Sequence, residues 1–301
     1  MPVDLPMAAT VQTVERTSES PRLRVGERLR VLLAHREILL NLVRKELKVK
    51  YAASVLGAVW SLLNPLVFLL VFTFVTKVLG TAIPSYPVYL LSGLLAWNLF
   101  SASLGAGARS VLDNANLVKK VAFPREILPL SAIGVALVDY VLQSAVFLAF
   151  ILVSGYGFHV PELALLPLAF VTLLAVTAAL TFWLAALNVR YRDVGHLLQI
   201  ALLVWFWGTP IVYAGALVQR RLAELPLVWE LYLLNPLATT IGGLQRSLYG
   251  VVERDGTAVL FEVSLGWLAA ALVAVLAASV VLLRLTWGYF FTRSGDFAEE
   301  L

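Results

Sequence analysis

The chain has 301 residues, of which 60% are hydrophobic and only 14% charged, with a net charge of +4. A soluble domain is nearer about half apolar and about a quarter charged, so this composition excludes an ordinary soluble globule. The sequence holds no cysteine, which removes disulfides and cysteine-ligated metals, and His35, His159 and His196 stand too far apart for a metal-ligand pattern.

Residues 1–24 are polar, mixed in charge and aperiodic, which predicts a disordered tail. They lack the apolar stretch of a signal peptide. Over residues 25–50 a helical period emerges. Val25, Leu29, Leu32, Leu39, Val43 and Leu47 share a face, and Arg28, Arg30, Arg44, Lys45 and Lys48 lie largely off it. A basic amphipathic helix that leads straight into an apolar segment is expected in the inner membrane interface.

The cations Arg44, Lys45, Lys48 and Lys50 end abruptly at Tyr51, and an almost uncharged run follows. Such a cluster stays on the cytoplasmic side when the next segment enters a bilayer. Six apolar runs approach the ~20 residues needed to span a bilayer: 55–76, 88–108, 127–153, 163–187, 196–214 and 264–287. The expected fold is therefore an all-α integral membrane domain over 51–290, with a short tail at 291–301. Threading six spans puts eighteen Lys/Arg on one side and five on the other. By the positive-inside rule both termini are then cytoplasmic, and the net charge reads as membrane orientation with no sign of nucleic-acid binding.

The first span contains Asn64-Pro65, where proline is expected to kink the helix. Segment 109–126, RSVLDNANLVKKVAFPRE, is polar and cationic; a short helix from Asn114 to Val121 should stop before Pro124. In the third span Asp139 and Gln143 lie four apart and share a face. No cation is evident near them in the membrane, which favours a hydrogen-bonded structural role over a proton relay. The fifth span ends in WFWGTPIVY (205–213). Beyond it, Leu225 to Tyr249 is too apolar for a free loop and is broken at Asn235-Pro236, predicting two short re-entrant helices before the last span.

No nucleophile–base pair, HExxH, paired carboxylates or GxxxxGK[ST] phosphate loop is present. The sequence therefore offers no catalytic or metal site, and no P-loop ATPase. Aromatic residues at several depths include Trp60, Phe72, Trp97, Trp207 and Tyr213. Belt and core packing account for such residues; a channel lining over which sugar rings slide is the alternative.

Four segments occur in a telling order: RKELKVKYAASVLGAVWSLLNP (44–65), FPREILPLS (123–131), NVRYRDV (188–194) with GTPIVY (208–213), and LNPLATTIGGLQRSLYG (234–250). Over about residues 25–290 the chain resembles the membrane subunits of polysaccharide-exporting ABC transporters. These are ABC-2 permeases serving O-antigen, teichoic acid, capsule and galactan export. The resemblance implies a homodimer in a bacterial inner or plasma membrane, paired with two copies of a separate cytoplasmic ATPase that carries ATP and Mg. The implied substrate is a polyprenyl-diphosphate-linked polysaccharide. Arg36, Asn114, Asn116, Lys119, Lys120, Arg125 and Glu126 are the implied ATPase-docking residues. Asn235, Pro236 and Arg246 belong to the implied outer gate. Arg44, Lys45, Lys48, Lys50 and Tyr51 are candidates for receiving the substrate diphosphate at the membrane surface, although setting orientation alone also accounts for them. An ABC-2 permease for a drug, lipid or peptide, a membrane-embedded glycosyl or lipid transferase, and a passive channel are the other readings.

Overall fold

The computed structural model describes residues 24–52, 59–79, 83–158, 160–250, 253–254 and 257–301. The expected tail up to residue 23, residues 55–58 of the first expected span and His159 lie outside them. Among the described residues the fold is helical apart from a two-residue antiparallel ladder, Glu253–Arg254 against Thr257–Ala258.

The N-terminal amphipathic segment is two helices, α1 (Val25–Ala34) and α2 (Arg36–Tyr51), where one was expected. The break is at His35, whose ring Nδ1 sits 2.8 Å from the Val31 carbonyl oxygen. Next come α3 (Val59–Leu79), with Pro65 inside it, and α4 (Tyr86–Asp113). The polar segment holds α5 (Ala115–Lys120), which ends ahead of Pro124 as the sequence suggests. α6 (Ile127–Ser154), the single turn α7 (Val160–Leu163) and α8 (Leu166–Arg190) follow.

α9 covers Val194–Trp207, seven residues short of the expected end at 214. Pro210 has no N–H to give, and it pushes Thr209 out of helical geometry. Three short helices come next: α10 (Gly215–Leu222), α11 (Pro226–Leu233) and α12 (Pro236–Leu248). α13 (Leu265–Arg293) and α14 (Phe297–Glu300) complete the chain.

Among the described residues four helices are long and apolar enough to cross a membrane: α4, α6, α7 with α8, and α13. Shorter apolar stretches lie within α3 (Pro65–Phe74) and over α9. At 14 residues, α9 reaches only about 21 Å at ~1.5 Å per residue.

α4 is the central helix. Residues from Val88 to Trp97 are all buried, as expected of a helix that is apolar on every side. It packs on α6, α8, α12 and α3, and α8 in turn packs along α13. A Cβ at Gly107 would fall 2.2 Å from Thr181 Cγ2, so glycine is what lets α4 and α8 meet so closely. A second cluster closes the basic end of the bundle. It joins Leu42, Val118, Leu128, Phe182, Trp287 and Phe297 from six helices.

The Gly107 contact predicts a specific overpacking penalty. Gly107→Ala should cost about 1–3 kcal/mol, seen as a lower thermal midpoint in detergent. Adding Thr181→Ser removes the clashing methyl and should restore the midpoint.

Candidate functional site

The basic end is built from α1, α2, α5 and the segment before α6. A groove of about 680 Å³ opens between α2 and α5, lined by Ile38, Leu42, Lys45, Asn114, Asn116 and Lys120 among others. Lys45 Nζ donates to Asn114 Oδ1 at 3.1 Å across the groove, and Asn114 Nδ2 donates to the Ser110 carbonyl at 3.0 Å. Asn116 and Lys120 are exposed in this groove, and Arg36 on α2 and Lys119 on α5 are exposed too, outside its lining. Burial pulls the Arg125 pKa below its ordinary value, against the opposing charge of Asp296.

Glu126 is different. It is fully buried and holds Arg28 through two bonds, Nε to Oε1 at 2.9 Å and Nη2 to Oε2 at 2.8 Å. Trp287 Nε1 approaches the same carboxylate at 3.5 Å. The Arg28 guanidinium also lies 4.5 Å from the Phe291 ring centre. A two-pronged arginine–carboxylate pair is both strong and directional. This one fastens α1 to the start of α6 and to α13. Glu126 therefore faces inward, and its carboxylate is not on the surface that a docking partner would meet.

The cations ahead of α3 also separate in space. Arg44, Lys45, Lys48 and Lys50 are all exposed, but Lys45 crosses the groove. Lys50 Nζ lies 2.5 Å from Asp139 Oδ2, and Tyr51 Oη donates to Asp139 Oδ1 at 2.6 Å. Asp139 thus has a cation partner, which the sequence reading had not found. One turn further along α6, Gln143 Oε1 accepts from Asn98 Nδ2 at 3.4 Å.

At the opposite end, the non-helical segment after α9 is held by side chains. Tyr89 Oη lies 3.0 Å from the Pro210 carbonyl oxygen and 2.5 Å from that of Tyr213, its single proton shared between them. Gln245 Nε2 donates to the Pro210 carbonyl at 3.1 Å, and Tyr86 Oη to that of Val212 at 2.8 Å. Asn235 is the hub. Its Oδ1 caps α12 through Leu237 N at 3.0 Å and accepts from Trp205 Nε1 at 2.8 Å. Its Nδ2 reaches Thr209 Oγ1 at 3.2 Å. Pro236 opens α12, as suits a first helical position. α12 is buried along most of its length, while α11 exposes Leu227 and Leu231. Arg246, on α12, is half-buried; its Nε has no hydrogen-bond partner among the described residues.

The aromatic candidates do not share one surface. Trp97 is buried, with ring centres 5.7 Å from Phe100 and 5.4 Å from Phe206. Phe72 lies 6.0 Å from Phe68 and 5.9 Å from Tyr86. Trp207 is 59% exposed, and its carbonyl accepts from Tyr213 Oη at 2.7 Å. The Trp60 side chain lies outside the described residues. A run of rings that sequence reasoning missed continues from Tyr86 through Tyr89 and Tyr249 to Tyr156, at 6.2, 5.4 and 6.1 Å. The i, i+3 spacing of Tyr86 and Tyr89 was the one local signal for it.

Long apolar helices around a buried central helix, with a cationic groove at one end and tied-down irregular backbone at the other, define a multi-pass membrane protein. The family profile described as "ABC-2 type transporter" matches residues 38–249. The chain belongs to the ABC-2 type transporter family. It is 34% identical over 278 residues to the "O-antigen export system permease protein RfbA" of Myxococcus xanthus, covering 91% of this chain and 98% of that protein. A protein of the same name from Klebsiella pneumoniae is 30% identical over 227 residues, covering 75% of this chain and 85% of that protein.

The clamp at Glu126 generates a prediction about α1. Glu126→Ala leaves Arg28 without its partner, and breaking such a pair costs about 3 kcal/mol. Amide hydrogen exchange over 25–34 should accelerate, with α8 little changed. Unaltered exchange in α1 would mean that apolar packing alone holds that helix.

Proposed function

We propose that the chain is the transmembrane subunit of an ATP-driven exporter. It carries a polyprenyl-diphosphate-linked polysaccharide from the cytoplasm across the inner or plasma membrane. The observation that carries this reading is the match to an O-antigen export permease over 98% of that protein's length, supported by the ABC-2 profile.

The chain has no phosphate loop, so ATP and Mg belong to a separate ATPase. The groove between α2 and α5, with Asn116 and Lys120 exposed in its lining, together with the exposed Arg36 of α2 and Lys119 of α5, is the surface we assign to that subunit. Eighteen cations against five favour placing this end, with both termini, in the cytoplasm. In this reading α3 and α9 complete a six-span topology. α11 and α12, with Asn235, Pro236 and Arg246, form the outer gate as re-entrant helices.

Two unpartnered apolar faces support a second copy of the chain. Leu66, Leu70, Phe74 and Val78 are exposed along α3, and Leu197, Ile200, Val204 and Trp207 along α9. Both helices flank α4. A homodimer joined there would place a channel between two subunits, with Trp207 within reach of it. ATP binding can drive such a channel only by favouring one of its states over another.

Depleting the chain in its native cell should make lipid-linked glycan accumulate on the inner face of the membrane, measured by extraction and sugar analysis. Re-expressing the chain with its ATPase should clear it; re-expressing the chain with an ATPase unable to hydrolyse ATP should not. A depleted cell with normal surface glycan and no accumulation would contradict this assignment.

A further inference from the structure

Asp139 stands twelve residues beyond Ile127 on α6, hence about 18 Å along the axis at ~1.5 Å per residue. α6 has 28 residues, about 42 Å, and so overshoots ~30 Å of hydrocarbon at both ends. Placed symmetrically, the carboxylate sits about 12 Å inside the apolar layer. An ionised group there is costly unless it is partnered, and both of its oxygens are taken, by Lys50 and Tyr51.

Those two donors end α2. Seven residues before Lys50 on the same helix, Val43 packs on Gly134 of α6, where a Cβ would lie 2.8 Å from Val43 Cγ2. Only glycine permits that approach. Lower still, Leu42 is buried with Ile127 and Leu128. Residue numbers rise together along the two helices, Val43 beside Gly134 and Lys50 beside Asp139. α2 therefore climbs along α6 in the same direction, away from the groove and into the membrane, and is fastened at successive heights.

We propose that Asp139 is a positioning residue for export. It latches the end of α2 to α6, so that a displacement imposed on α2 at the groove enters the membrane through α6, with the two helices moving as one body. The proposal rests on the assignment of the groove to the ATPase. It gives Lys50 a task within the protein and leaves Arg44 and Lys48, which have no ion pair among the described residues, for an anionic headgroup.

A disulfide can replace the latch and so test it. The chain has no cysteine of its own. A Cβ at position 134 lies 4.0 Å from Val43 Cβ, inside the ~3.5–4.5 Å span of disulfides. In the Val43→Cys/Gly134→Cys pair the valine methyl that crowds the glycine is removed and the bonding sulfur takes its place. The transporter is assembled with its ATPase in proteoliposomes. Asp139→Asn should retain ATPase binding and ATP hydrolysis but lose roughly tenfold in export, since its removal leaves the Lys50 charge uncompensated. The oxidised cysteine pair should export like wild type. Combined with Asp139→Asn, oxidation should restore export and reduction should withdraw it.

A lock that halts export in the otherwise unaltered chain would overturn the proposal, because α2 would then have to slide on α6. Export by Asp139→Asn at the wild-type rate would overturn it too, as would failure of that variant to bind its ATPase even when locked, which marks a purely structural role. If wild type itself exports nothing, the functional reading fails and not the latch. Spin labels at Lys48 and Val141 then test the latch alone, through a distance that stays constant across ATP binding and hydrolysis; a changing distance would refute it.

Discussion

A bilayer core offers no water to hydrogen-bond a free peptide group or a lone charge, and the side-chain network of this protein answers that constraint. Where Pro210 stops α9, its own carbonyl is met by Tyr89 and Gln245. Asn235 then ties the same segment to α12 and to Trp205. One amide side chain thus stitches the end of a short apolar helix to the start of a buried one. The irregular backbone at this end survives because tyrosine, glutamine and asparagine replace the bonds that a helix would have made.

Charge is handled in the same way at the basic end. Glu126 and Asp139 are carboxylates on or just before α6, and each meets a cation from the N-terminal helices. Arg28 holds α1 below, beside Trp287 and Phe291 of α13. Lys50 and Tyr51 hold the end of α2 above. Between the two pairs lies the groove with Lys45 and Asn114. A force applied at the groove therefore acts on helices fastened to α6 and α13 at separate levels. Packed interfaces tend to shift between discrete arrangements rather than bend continuously, so fastenings of this kind decide which helices shift together.

Much of the fold is legible in the sequence for a simple reason. Apolar runs near span length without a charge have few folded solutions, and α4, α6, α8 and α13 lie where hydropathy predicts them. The limits are equally physical. Hydropathy carried the fifth apolar run on to residue 214, because Ile211 and Val212 are apolar; it is blind to the hydrogen bonding that Pro210 forbids. The break at His35 leaves only a faint mark on the amphipathic period, where Arg36 interrupts the apolar stripe. Partnerships were the least legible. Lys50 and Asp139 lie 89 residues apart, and Arg28 and Glu126 lie 98 apart. No spacing rule connects such pairs, so the resemblance grouped Glu126 with the docking residues and Asp139 read as a residue without a cation. Trp97 and Trp207 look alike in sequence, yet α4 is surrounded and α9 is not, so one is buried and the other exposed.

The central claim is that this chain, with a separate ATPase, moves a lipid-linked glycan across a membrane. The most direct measurement uses sealed vesicles holding the purified chain and ATPase, loaded with labelled polyprenyl-diphosphate glycan on the ATPase-bearing face. Protection of the label from an added impermeant glycosidase reports transfer. The account predicts protection that needs both proteins and hydrolysable ATP. Equal protection without ATP, or in vesicles lacking this chain, would contradict it.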